Sequence, residues 1–213
     1  FTYPAAEEPT LKSINLKFAA GEKIAVVGKN GAGKTTLIKL LCGLYSPSSG
    51  KILINGTNTA AVSKSSCFDL FATIFQDYYF LPMTIQQNIT AGTEYDRKRL
   101  FDAFEKAGIA DKINSLPDRE HSLMCKEVYK NAVDFSGGEK QKLLLAKAIY
   151  KNAPILILDE ATAYTDPENE AMIQKSVSEL SKGKTMIVIA HRLSTIIDSD
   201  KIVVIKNGNV EAE

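Results

Sequence analysis

A chain of 213 residues that is 45% hydrophobic and 24% charged is long enough to bury a core and has the composition of an ordinary globular domain. Its 26 basic and 25 acidic side chains nearly cancel, which excludes a global field that would gather nucleic acid or anionic lipid, so no nucleic-acid partner is expected. No apolar run approaches the ~18 residues of a membrane span, and Cys42, Cys67 and Cys125 lack the close Cys or His neighbours of a zinc site and read as reduced thiols.

Residues 11 to 27 and 51 to 56 carry short apolar segments broken at Gly21-Glu22 and Asn55-Gly56, a pattern of strands and hairpin turns. The apolar run Ile24-Ala25-Val26-Val27 then leads into Gly28-Lys29-Asn30-Gly31-Ala32-Gly33-Lys34-Thr35-Thr36, and Leu37, Leu40, Leu41 and Leu44 follow at helical spacing. Strand, glycine-rich loop and helix in that order are the context in which such a loop turns its N–H groups toward a phosphate at the helix N-terminus. Lys34 is then within reach of β- and γ-phosphates, and Thr35 is a hydroxyl ligand for the magnesium that bridges them. The chain is expected to bind a nucleoside triphosphate.

From about Thr84 to Ala107 the period becomes helical, with Leu100, Phe101, Phe104 and Ala107 on one face. Pro117-Asp118 and Lys126 to Asn131 read as connections. Ser136-Gly137-Gly138 then opens a helix from 138 to 150 that carries Leu143, Leu144, Ala146, Ala148 and Ile149. That serine and the adjoining N–H groups form either a second anion site or a plain helix cap. If they form an anion site, the economical arrangement is a head-to-tail dimer, each nucleotide lying between the loop of one copy and Ser136 of the other.

The uninterrupted apolar runs 155 to 158, 186 to 189 and 202 to 205 read as buried parallel strands, with a helix around 167 to 182 between the first two. The first ends in Asp159-Glu160, at the sheet edge where ligands collect. Asp159 is placed to hold the magnesium shell through water, and Glu160 to orient or deprotonate an attacking water. His191 follows Ile187 to Ala190 at the same edge and is the candidate sensor of the γ-phosphate, whereas His121, beside Arg119-Glu120, reads as a surface residue.

Gly28 to Thr36, Gln76, Phe135 to Gln141, Ile155 to Glu160, Asp166 and His191 resemble, in order and over essentially the whole chain, the motifs of an ATP-binding cassette domain. The resemblance implies an α/β fold: a P-loop NTPase (RecA-like) core with an N-terminal antiparallel β subdomain and an inserted α-helical subdomain. Residues 1–76 and 151–213 would form the core, and about 77–150 the helical part. It implies that Tyr3 stacks on adenine, that Gln76 senses magnesium and water, and that Ser136, Gly137 and Gly138 contact ATP across the dimer. The segments Ala190 to Thr195 and Thr84 to Ile89 resemble exporter-type transporters in particular. There the domain lies on the cytoplasmic face of a membrane, fused behind a transmembrane part that docks near Gln76 to Asn88; Tyr78, Tyr79, Phe80, Leu81 and Met83 suit such a contact or the core of the helical part. The start at Phe1 and the stop just after Asn207-Gly208-Asn209 suggest a part of something longer. An alternative role is a nucleotide-holding partner of low activity in a heterodimer.

Three positions depart from the pattern: Ala163-Tyr164-Thr165 before Asp166, Glu139 in place of a glutamine, and Lys130 in place of an acidic residue, with Glu127 nearby.

Overall fold

The computed structural model describes residues 1–75, 77–92, 94–159, 167–190 and 196–213, and of 167–171 the backbone alone. Its elements run β1 (Lys23–Val27), α1 (Lys34–Leu41), β2 (Leu53–Ile54), β3 (Thr57–Asn58), α2 (Lys64–Asp69), β4 (Phe71–Ile74), α3 (Ile85–Thr90), α4 (Arg97–Lys106), α5 (Ala110–Ser115), α6 (Gly137–Lys151), β5 (Ile155–Asp159), α7 (Pro167–Ser181), β6 (Thr185–Ile189), β7 (Lys201–Lys206) and β8 (Asn209–Ala212). Contacts divide these into two units. One holds all the strands with α1 and α2, and the other holds α3 to α7.

In the first unit the apolar runs form a six-stranded sheet of order β4-β5-β6-β1-β7-β8. Strand β1 lies inside it, parallel to β6 on one side and β7 on the other, and Ile24, Ala25 and Val26 are 0% exposed. Strands covered on both faces need no polar alternation, which is why 24–27, 155–158 and 186–189 read as continuous apolar runs. The registers pair Val26 with Ile189 and Ile189 with Asp159, so the C-terminal ends of β1, β6 and β5 finish in one row. That row is the edge of the sheet where the loop after β1 begins.

The hairpin expected at Asn55-Gly56 is present between β2 and β3, with both turn residues at positive φ, 50° and 80°. Over 11–22 the expected strands do not form. Burial still alternates through Ile14, Leu16 and Phe18 against exposed Asn15 and Lys17, but this segment has no ladder partner, and its anchors lie elsewhere. Leu11 is 3% exposed, and Lys12 N–H donates to Gly208 O at 2.7 Å.

In the second unit the helical stretch from Thr84 to Ala107 is two helices, because Ala91 ends α3 in the left-handed region at φ 57°. On α4, Leu100, Phe104 and the following Ala107 are 0% exposed, as their spacing requires, and Phe101 is half-buried under the Arg97 guanidinium. The helix expected from 138 begins one residue earlier, with Ser136 as its N-cap. Helix α7, counted with the core on sequence, groups with the helical unit: Ile173 and Val177 are buried, and the Ser176 hydroxyl donates to Lys106 O.

The β7–β8 turn reaches the loop after β1, since Gly208 N–H donates to Ala32 O at 3.2 Å. At Gly208, φ is 79° and an added Cβ would lie 2.4 Å from Thr10 O. Gly208→Ala is therefore expected to lower stability by about 1–3 kcal/mol, read as the denaturant midpoint. An unchanged midpoint would show that this clamp has slack.

Candidate functional site

Helices α2, α3, α4 and α6 start on side-chain caps supplied by Ser63, Thr84, Asp96 and Ser136; the six-residue α5 and α1 start without one, and α1 does so on Gly33, at φ 107°, at the end of the glycine loop. The first N–H groups of any α-helix lack intrahelical acceptors, so those of α1 need an acceptor from elsewhere, and the positive end of the helix dipole adds to their preference for an anion. The loop before α1 is held close to the sheet: a Cβ on Gly28 would lie 2.2 Å from Ile205 O. Ala32 is 6% exposed and bonded back to Lys29 O, while Asn30 and Gly31 are exposed.

Lys34 is 7% exposed, and its ammonium donates to Gly28 O at 2.8 Å and to Lys29 O at 3.2 Å. A cation is thus fixed among the loop's own carbonyls, beside the bare helix end. The Thr35 hydroxyl donates to Asp159 Oδ2 at 3.0 Å, and Asp159, at the end of β5, is 2% exposed. The register of β1, β6 and β5 delivers that carboxylate to the loop. A hydroxyl and a carboxylate are hard oxygen donors, the chemistry that suits magnesium completed by phosphate oxygens and water. Thr36 is 7% exposed, and its hydroxyl lies 3.1 Å from Tyr3 Oη, which ties Tyr3 to α1.

Ser136, Gly137 and Gly138 lie in the second unit. The Ser136 hydroxyl accepts from Glu139 N–H at 3.3 Å, and the Glu139 carboxylate accepts from Ser136 N–H at 2.8 Å, which makes a reciprocal capping box. The plain-cap reading of this serine is therefore present in the structure. In front of it, a Cβ on Gly137 would meet nothing within 4 Å.

Lys112 lies 3.3 Å from the Glu139 carboxylate. Burial alone would push that carboxyl up, but the Ser136 N–H and the Lys112 ammonium outweigh it and hold Glu139 below the ordinary glutamate range. Sequence reasoning missed Lys112, since nothing in its spacing points across to 139.

Glu160, His191 and Gln76 lie outside the described residues, as do Asp166 and the departing segment 163–165. Leading to His191, Ala190 N–H donates to Val26 O at 3.1 Å, which keeps that strand on the β1 edge. His121 is exposed, as expected of a surface residue.

The segment 78–83 is firmly held yet turned outward. Asn88, 5% exposed, accepts from Leu81 N–H at 2.8 Å and donates to Leu81 O at 3.0 Å. Cys125 Sγ–H donates to Phe80 O and Tyr129 Oη–H to Pro82 O. Tyr79 is nevertheless 92% exposed and Leu81 56%, with Tyr78, Phe80 and Met83 half-buried. An asparagine among the apolar positions of α3 was the signal for this clamp.

Residues 11–163 match the ABC transporter family. The chain belongs to that family. It is 42% identical over 213 residues to the ATP-dependent lipid A-core flippase of Burkholderia orbicola (strain AU 1054), covering 100% of this chain and 35% of that protein. Against the ATP-dependent lipid A-core flippase of Salmonella typhimurium it is 38% identical over 210 residues, covering 98% of this chain and 35% of that one. The solved structure of a bacterial Atm1-family ABC exporter with ATP bound matches with a TM-score of 0.87 and 35% identity, over 99% of this chain and 36% of that one. The chain thus spans about a third of the length of these relatives. Its α/β fold is that of the P-loop nucleotide-binding part of an ABC exporter, with an antiparallel β portion beside the parallel sheet.

The fold favours the carboxylate form of Glu139, so the stabilisation is complete above the ordinary glutamate value and is lost as pH falls through the depressed folded value. Lys112→Ala is expected to raise the Glu139 carboxyl titration, read by its 13C shift. An unmoved titration would leave Lys112 without that role.

Proposed function

We propose that this chain is the ATP-hydrolysing engine of an exporter-type ABC transporter, working as a head-to-tail pair on the cytoplasmic face of a membrane. The observation that carries the reading is the uncapped N-terminus of α1, with Lys34 inside its loop and Thr35 bonded to Asp159 at 3.0 Å. A bare helix end, a fixed cation and two hard oxygen donors suit a nucleoside triphosphate with magnesium.

In this reading the N–H groups of Gly31 to Thr36 and the Lys34 ammonium take the β- and γ-phosphates. Thr35 and, through water, Asp159 would hold magnesium, with Gln76 sensing the ion and its water, and the bound ion would neutralise phosphate charge. Tyr3 stacks on the adenine. Glu160 orients or deprotonates the attacking water, and His191 contacts the γ-phosphate as charge spreads over its oxygens. Ser136, Gly137 and Gly138 of a second copy close the site from the other side, the dimer being favoured by ATP and released by hydrolysis. To meet the phosphate, the Ser136 hydroxyl turns its proton outward while still accepting from Glu139 N–H, which a hydroxyl with two lone pairs allows.

A transmembrane part fused to this domain would be the remaining partner, and the relatives' additional length is consistent with it. The outward aromatic segment 78–83, rigid in backbone and apolar in side chain, suits docking of that part. Selection of the transported substrate would then belong to the membrane part.

The test is ATPase activity per mole of chain at saturating MgATP over a wide range of protein concentration, with Glu160→Gln as control. Activity that rises with concentration, and a variant that binds ATP but does not turn over, are expected. Normal turnover in the variant would remove Glu160 from its role. Binding without turnover at any concentration would favour a low-activity partner of a different cassette.

A further inference from the structure

Tyr45 lies just beyond α1. Cys42, Gly43 and Leu44 end that helix in a Schellman turn, Gly43 N–H donating to Leu40 O at 3.0 Å and Leu44 N–H to Lys39 O at 3.0 Å. The next residue, Tyr45, is thereby carried to the N-terminal segment, where Thr2 N–H donates to Ser48 Oγ at 3.1 Å. Three rings meet there. Tyr3 and Tyr45 lie 5.3 Å apart with planes at 86°, Phe1 and Tyr3 4.9 Å apart at 77°, and Phe1 and Tyr45 5.5 Å apart at 49°.

Right-angle contacts of this kind are favourable beyond the area they bury, and they fix ring orientation. With its hydroxyl on Thr36 and its ring against both Phe1 and Tyr45, which also touch each other, the Tyr3 side chain is held at both ends. Among the described residues no ring lies parallel on Tyr3, so a base stacking there displaces no stacked neighbour. Tyr45 itself is 38% exposed, and both of the other rings contact it.

We infer that Tyr45 is a positioning residue for the nucleobase: it sets the plane of Tyr3 so that the base stacks at no orienting cost. The inference rests on the proposed role of Tyr3 as the base-stacking residue. It concerns the base alone, because the phosphate loop is built without Tyr45, and this separates it from a general packing role.

The experiment is calorimetric titration of this chain and its variants with MgATP and, separately, with magnesium tripolyphosphate, which carries the phosphates without a base. Tyr45→Ala and Tyr45→Leu are expected to weaken ATP binding about fivefold and to leave tripolyphosphate binding unchanged, while Tyr45→Phe retains both. Equal weakening of the two probes in Tyr45→Leu would overturn the proposal in favour of α1 packing, as would unchanged ATP binding where Tyr3→Ala weakens it. Should Tyr3→Ala leave the ratio of the two affinities unchanged, the underlying role of Tyr3 fails and Tyr45's with it. Loss of ATP binding by the unsubstituted chain would instead defeat the nucleotide reading itself.

Discussion

The N–H groups at the start of α1 are the constraint around which the first unit is organised. Four other helices satisfy that need with their own Ser, Thr or Asp side chains, while α1, like the short α5, has no side-chain cap, and it opens on Gly33 of the glycine loop with the need left open. An open end is stable only if the backbone around it is fixed by other means. Here the fixing comes from β1 between two parallel neighbours, from Gly28 pressed on the Ile205 carbonyl, from the Gly208 turn on Ala32, and from Lys34 bonded into its own loop. The sheet then finishes β5 in the same row, which brings Asp159 to Thr35 across a sequence separation of 124 residues.

The second helix end, at α6, is built on the opposite principle. Its N–H groups are served by a capping box, and the charge that Glu139 adds is balanced by Lys112. A capped end binds an anion less readily than a bare one, because the cap already occupies a donor and a carboxylate repels a phosphate. In the proposed dimer this gives the two ends different duties. The bare end of α1 takes the nucleotide first, and the α6 end joins only when a second copy presents it, so closure depends on both nucleotide and partner.

What was legible in the sequence was whatever depends on local spacing. Val26, Val27 and the glycine loop declared strand and loop, and the runs 155–158 and 186–189 declared buried parallel strands, because both are decided by neighbours in the chain. Residues 11–22 misled for a physical reason: alternation of Ile14, Leu16 and Phe18 specifies an extended chain with one sheltered side, and that side is available without a partner strand. The break at Ala91 and the placement of α7 depend on tertiary packing that outweighs propensity. Lys112 and Tyr45 were invisible because each acts on a residue distant in sequence, and only the fold brings the pairs together. The roles of Gln76, Glu160 and His191 rest on the family resemblance and their place in the chain.

In the proposed mechanism the bare end of α1 receives the phosphates while the capped end of α6 waits for a second copy. The most direct measurement follows the backbone amide resonances of Gly31 to Thr36 and of Gly137 to Glu139 as MgATP is added to the Glu160→Gln chain at low and at high protein concentration. The 31–36 amides are expected to shift at both concentrations and the 137–139 amides only at the high one. Nucleotide binding that leaves the 31–36 amides unmoved, or moves 137–139 at high dilution, would contradict that mechanism.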